Sequence, residues 1–138
     1  MSEFRRVTER LSVSPQVAPE DLSAAAAQGF VRVVCNRPDG EGPGQPSGAE
    51  MKAAAQAAGL DFVHIPFAGM PDAATADAVF AAVSGAPGPV LAYCRSGTRS
   101  VTAWALGSLR AGDHDRESLV ALAAGAGYDL SAVLPRPM

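Results

Sequence analysis

Short β-rich runs alternate along the chain with longer alanine-rich runs, and the two patterns carry different hydrophobic periods. Leu11-Ser12-Val13 predicts a short strand, and the β-branched run Phe30-Val31-Arg32-Val33-Val34 predicts a second. Asp61-Phe62-Val63-His64-Ile65 is closed by Pro66, and Val90-Leu91-Ala92-Tyr93 is opened by the Pro87-Gly88 turn; both read as strands. Helices are expected between them. One opens at Pro19-Glu20-Asp21, runs through Ala27 and stops at Gly29, because proline and acids suit a first turn and glycine suits a C-terminal stop. Ser47 and Glu50 form a capping-box pair at the head of a helix from Gly48 to Ala58. Thr75 to Val83 and Arg99 to Leu109 read as helices, and Arg116 to Ala124 and Tyr128 to Val133 as shorter ones. The glycine- and proline-rich stretch from Asn36 to Ser47 reads as loop, as does Ala68 to Asp72.

Strands alternating with helices of this length predict an α/β fold with parallel pairing and right-handed crossovers. Ligands in such sheets bind beyond the carboxyl ends of the strands. The loops Cys35 to Gly44, Phe67 to Asp72 and Cys94 to Ser100 all leave those ends, so they are expected to meet on one edge. The chain has 138 residues, which fits a single catalytic domain able to bury a core without disulfides or metal.

Composition narrows the function. The net charge of -3 gives no footprint for nucleic acid. No apolar run approaches the ~20 residues of a membrane helix. Met1-Ser2-Glu3-Phe4-Arg5-Arg6 lacks the apolar stretch of a secretory signal, so a cytoplasmic location is expected. With two cysteines, Cys35 and Cys94, a disulfide is not expected in a reducing compartment. Two histidines and no Cys-x-x-Cys pair leave no metal site to expect, and no cofactor is implied.

The candidate chemistry lies in Cys94-Arg95-Ser96-Gly97-Thr98-Arg99-Ser100, between a predicted strand and a predicted helix. A helix N-terminus offers free N–H groups and partial positive charge, and successive loop amides form a nest for an anion. Gly97 permits a positive φ that turns the amides inward. Arg99 is able to fork two hydrogen bonds onto an oxyanion, with Arg95 and the hydroxyls of Ser96, Thr98 and Ser100 around it. Such a field favours the thiolate, the reactive form of cysteine, and a Ser96 or Ser100 hydroxyl is placed to donate to the sulfur. Cys94 is therefore the expected nucleophile and Arg99 its partner.

Cys-x-x-Gly-x-Arg-Ser after a strand resembles the active loop of cysteine phosphatases and rhodaneses. The match widens through Arg10-Leu11-Ser12-Val13-Ser14, Asn36-Arg37-Pro38-Asp39-Gly40-Glu41, Pro43-Gly44-Gln45-Pro46, His64-Ile65-Pro66 and Pro87 to Ser100. Together these resemble the phosphatase-like domain of the beta-lactamase-hydrolase-like proteins, over about Phe4 to Leu109. The resemblance implies a mostly parallel central sheet flanked by helices, similar to dual-specificity phosphatases. It implies either phosphatase or sulfurtransferase activity, on a small anionic substrate such as a persulfide, thiosulfate or a phosphate ester. Fusion of some members to a persulfide dioxygenase implies a separate dioxygenase as a possible partner.

Loop length bears on the choice. Phosphatases of this type carry Cys-x5-Arg, usually with His before the Cys, whereas Cys94 and Arg99 are spaced Cys-x4-Arg and follow Tyr93. The shorter loop resembles rhodaneses, so a Cys94 persulfide is the expected intermediate. The phosphatase alternative proceeds through a Cys94 thiophosphate and wants a general acid. Asp72, after Pro71, lies in the region where dual-specificity phosphatases carry theirs; as plain residue grammar it starts a helix. Asp77 is a weaker candidate. Pro38-Asp39-Gly40 is a strong turn signal, but Arg37 also offers a second positive charge for an anionic substrate, and Asp39 a salt bridge to Arg37 or Arg99. Cys35 reads as a core thiol or a resolving thiol, His64 as a strand residue, His114 as solvent-exposed, and Trp104 and Tyr128 as packing. A sensing module that uses Cys94 without turnover is the non-enzymatic reading.

Overall fold

The computed structural model describes residues 4–135. Five strands, β1 (Arg5–Arg6), β2 (Leu11–Ser14), β3 (Arg32–Cys35), β4 (Asp61–His64) and β5 (Val90–Tyr93), form one sheet in the order β1-β2-β5-β3-β4. β2, β5, β3 and β4 are parallel, and β1 runs antiparallel along β2 at the edge. Five helices cover the sheet: α1 (Asp21–Ala27), α2 (Gly48–Ala57), α3 (Ala73–Ser84), α4 (Thr98–Ala111) and α5 (Arg116–Gly125). The expected α/β architecture is present.

Side-chain alternation explains the layers. Leu11, Val13, Val34, Val90 and Ala92 point to one face, where they pack with Val79 and Val83 of α3, Val101 and Trp104 of α4 and Leu119 of α5. Val33, Cys35, Leu91 and Tyr93 point to the other, against Leu22 and Ala25 of α1 and Met51 and Ala55 of α2. β5 is buried at all four positions, as an inner parallel strand covered on both faces must be. Among the described residues no helix is long and apolar enough to cross a membrane.

The caps follow residue chemistry. The Ser47 hydroxyl accepts from the Glu50 amide at 3.1 Å and the Glu50 carboxylate accepts from the Ser47 amide at 3.3 Å, completing the capping box of α2. α3 begins two residues before the expected Thr75 because Asp72 caps it. β1 went unread in the sequence, since two residues are too few to show a period. The helix expected from Tyr128 to Val133 is absent. Gly127, at φ 94°, ends α5, and the Tyr128 amide donates back to Ala123 O at 2.9 Å. The following segment makes only a turn, whose Ser131 and Leu134 carbonyls accept from the Arg116 guanidinium. His114 is half-buried rather than exposed: its ring lies 5.7 Å from that of Trp104 and its Nδ1 is 2.9 Å from Ser108 Oγ.

α3 and α4 meet closely at Gly107. A Cβ there would sit inside contact distance of Ala76 O and Phe80 Cβ. Gly107→Ala gains about 1 kcal/mol of helix propensity but overpacks the contact at a cost of about 1–3 kcal/mol. Its urea midpoint is expected to fall; a rise would show that the two helices separate freely.

Candidate active site

The parallel ladder runs on beyond the strand ends and seats the loop. The Cys94 amide donates to Ser14 O at 3.4 Å, the Gln16 amide to Arg95 O at 3.3 Å, and the Asn36 amide to Tyr93 O at 2.9 Å. Cys94 is fully buried. Gly97 is the N-cap of α4 at φ 94°, in the left-handed region, and no side-chain oxygen caps that helix. The Cys94 sulfur takes that place: it accepts from the Gly97 amide at 3.0 Å. Tyr128 closes the turn from outside, donating its hydroxyl to Ser96 O at 2.9 Å. A Cβ on Gly97 would collide with that hydroxyl.

Arg99 leaves the first turn of α4 and meets Glu41 in a two-point ion pair, Nη2 to Oε1 at 2.7 Å and Nη1 to Oε2 at 3.0 Å. Its Nη1 also donates to Phe67 O at 2.9 Å. The pair holds the Glu41 carboxyl below its usual range, and Glu41 first, then the nearby Cys94, strengthen the Arg99 proton affinity. Arg37 is buried against the same carboxylate, Nε to Oε1 at 3.1 Å, and its Nη1 donates to Gln16 Oε1 at 3.1 Å.

The structure thus brings Cys94, Gly97, Arg99 and Arg37 to one edge. The other expected residues are placed as follows. Arg95 is exposed, and the Ser96 hydroxyl donates to Thr98 Oγ1 at 3.0 Å rather than to the sulfur. Ser100 is buried with its Oγ unpartnered, as is Asn36 Oδ1. Asp39 makes no salt bridge to Arg37 or Arg99. Its Oδ1 accepts from the Gly48 amide at 2.7 Å, at the start of α2, and Glu41 makes the salt bridges instead. Asp72 is exposed and accepts from the Thr75 amide at 2.8 Å; the Thr75 side chain first, then this amide, hold its carboxyl below the usual range. Asp77 pairs with Arg110 at 2.9 Å on the α3–α4 surface. His64 Nε2 lies 3.0 Å from Arg37 O, tying β4 to the loop after β3. Cys35 faces the α1–α2 layer beside Tyr93, and burial pushes its thiol up, with the Tyr93 hydroxyl offsetting part of that.

Sequence reasoning passed over Glu41, Gln16 and Tyr128. Glu41 stands four residues after Arg37, a spacing that signals an ion pair on a helix but carries no such meaning in a glycine- and proline-rich loop. A groove of about 320 Å³ lined by Arg10, Phe80, Trp104 and His114 lies at the other end of the strands, so concavity alone would have misplaced the site. Among the described residues no group of three or more His, Cys, Asp or Glu is placed to hold a metal ion.

A thiol at the carboxyl end of a central parallel strand, cupped by a glycine-turned loop and faced by an arginine, defines an enzyme of the cysteine-phosphatase fold. The chain belongs to the phosphatase-like domain family of the beta-lactamase hydrolase-like proteins, whose sequence profile matches residues 3–111. It is 40% identical over 129 residues to a beta-lactamase hydrolase-like protein of Agrobacterium fabrum, covering 92% of this chain and 30% of that protein. The chain therefore spans about three-tenths of the length of the curated relatives it matches. Among solved structures, a proposed phosphatase of Neisseria meningitidis is 31% identical, with a TM-score of 0.81 over 94% of this chain and 92% of that one. A kinase associated phosphatase shares the fold at 16% identity, with a TM-score of 0.68 over 91% of this chain and 85% of that one.

Two outcomes are expected. Gly97→Ala meets both the left-handed strain, about 1–2 kcal/mol, and the Tyr128 hydroxyl. Its Cys94 should lose most of its reactivity toward iodoacetamide, and an unchanged rate would show that the turn does not set the thiol. For Cys35, the folded thiol keeps its proton at a pH where the unfolded thiol has lost it. Stability should fall as pH rises through the ordinary thiol value, and Cys35→Ala should flatten that part of the pH profile.

Proposed function

We propose that the chain moves sulfane sulfur through a persulfide on Cys94. The observation that carries this reading is how the two candidate carboxylates are engaged. Asp72 caps α3 and lies beside Leu106, Leu109 and Arg110, well along α4 from the Cys94 loop, and Glu41 is clamped between two arginines that hold its carboxyl below the usual range. Neither is set to protonate a leaving oxygen. The Cys-x4-Arg spacing agrees, since the Gly97 amide is aimed at the sulfur itself.

With thiosulfate as donor, the Cys94 thiolate attacks the outer sulfur, the sulfur–sulfur bond breaks, and sulfite leaves with the electron pair. No proton is required. The Cys94 persulfide anion would be stabilised by Arg99 and the loop amides. An acceptor thiolate then takes the outer sulfur and returns Cys94 as thiolate. A separate persulfide dioxygenase that consumes the product fits this chemistry as a partner, and the cytosol fits as its compartment.

A second reading is favoured by likeness: the family is described as phosphatase-like, and the solved relatives named above are phosphatases or proposed phosphatases. In that reaction Cys94 attacks phosphorus, the phosphorus–oxygen bond breaks, and Arg99 with the loop amides holds the equatorial oxygens. The departing alkoxide needs a proton, which Asp72 would have to supply after releasing the Thr75 amide.

One side-by-side assay separates the two. Purified protein is tested for sulfur transfer from thiosulfate or glutathione persulfide to cyanide or a thiol, and for aryl phosphate hydrolysis, with Cys94→Ser beside each. Sulfur transfer and a mass gain of one sulfur on Cys94 are expected, and both vanish in Cys94→Ser. Cys94-dependent phosphate release without sulfur transfer would overturn the sulfurtransferase reading. Turnover by Cys94→Ser would overturn both.

A further inference from the structure

The guanidinium of Arg99 has five N–H groups in a rigid plane, and their use can be counted. Nη1 donates one to Glu41 Oε2 and one to Phe67 O; Nη2 donates one to Glu41 Oε1. Two remain among the described contacts, Nε–H and the second N–H of Nη2. Covalent geometry sets these two parallel on one edge of the plane. That edge is the fork suited to an oxyanion. Glu41 therefore does not take the fork itself; it grips the end of the guanidinium and leaves the side free. Arg99 and Cys94 stand on one short loop, with the Gly97 amide between them aimed at the sulfur.

Glu41 is in turn held from behind. Arg37 is too buried to serve as a mobile substrate clamp, and it donates to Glu41 Oε1 and Gln16 Oε1. Gln16 is fixed by its own amide on Arg95 O, in the Cys94 loop. A closed circuit results, from the loop through Gln16, Arg37 and Glu41 back to Arg99 on the same loop.

We propose that Glu41 is a positioning residue that orients the free edge of Arg99 toward an anion seated at Cys94, and that Arg37 acts through Glu41 rather than on the substrate. This rests on the reading of Cys94 as a nucleophile in an anion-binding loop, and it holds for a sulfur or a phosphoryl substrate alike. An internal carboxylate that merely competed with substrate would have the opposite effect when neutralised.

The test needs no turnover. Alkylation of Cys94 by iodoacetate, an anion, is compared with that by neutral iodoacetamide in the full chain, and the ratio is normalised to free cysteine. The wild-type protein should favour the anion. Glu41→Gln keeps the shape and loses the charge; it should cut that preference roughly tenfold or more, because small misplacements of a clamp are costly. Glu41→Asp keeps the charge on a shorter arm and should also lose it. Arg37→Met should lose the preference to a similar degree, and Arg37→Met with Glu41→Gln should be no worse than either alone. Thermal unfolding of each variant confirms that it folds. An unchanged or increased preference in Glu41→Gln overturns the proposal, and additive losses overturn the role given to Arg37. A wild-type protein without preference for the anion overturns the reading of the loop and the proposal with it.

Discussion

The hydrogen bond from the Gly97 amide to the Cys94 sulfur is the contact on which the site depends. It needs a left-handed turn three residues after the thiol, and only glycine adopts that turn at no steric cost. The turn starts α4, so the helix N-terminus and the sulfur share one position. The apolar face of α4 then carries Val101 and Trp104 into the core, and the packing of the helix fixes the direction of the loop. A catalytic loop is thereby anchored by the same residues that stabilise the domain.

Around this contact the charges alternate in sign. Arg99 and Glu41 are both partly exposed, and Glu41 links Arg99 to the buried Arg37. An alternating row of this kind lets a guanidinium face an anion without being free to wander, while neighbouring opposite charges limit the desolvation cost of burying Arg37. The polar atoms left without partners, Asn36 Oδ1 and Ser100 Oγ, are both on residues next to this arrangement in sequence.

Much of this was legible in the sequence because it is local. Cys94, Gly97 and Arg99 lie within six positions, and the strand–glycine–helix grammar places them whatever the rest of the chain does. The capping box of Ser47 and Glu50 was legible for the same reason. Glu41 was not, because it meets Arg99 across 58 positions and no periodicity reports such a pairing. Tyr128 was read as helix and packing, yet its importance arises only when the chain returns over Gly97. Asp39 and Asp72 show the other limit. Each carboxylate is occupied by a helix amide, a use that residue grammar had offered for Asp72 but not for Asp39, which read as part of a turn.

The contact of Tyr128 with Ser96 has a consequence for the order of biosynthesis. The sheet and all five of the described helices lie upstream of the tyrosine that closes the catalytic turn. A ribosome releases the chain from its N-terminal end, and upstream structure forms first. The thiol is therefore present on a nascent chain well before its loop acquires its cover. The nucleophile matures late, when Tyr128 has come to rest against its loop.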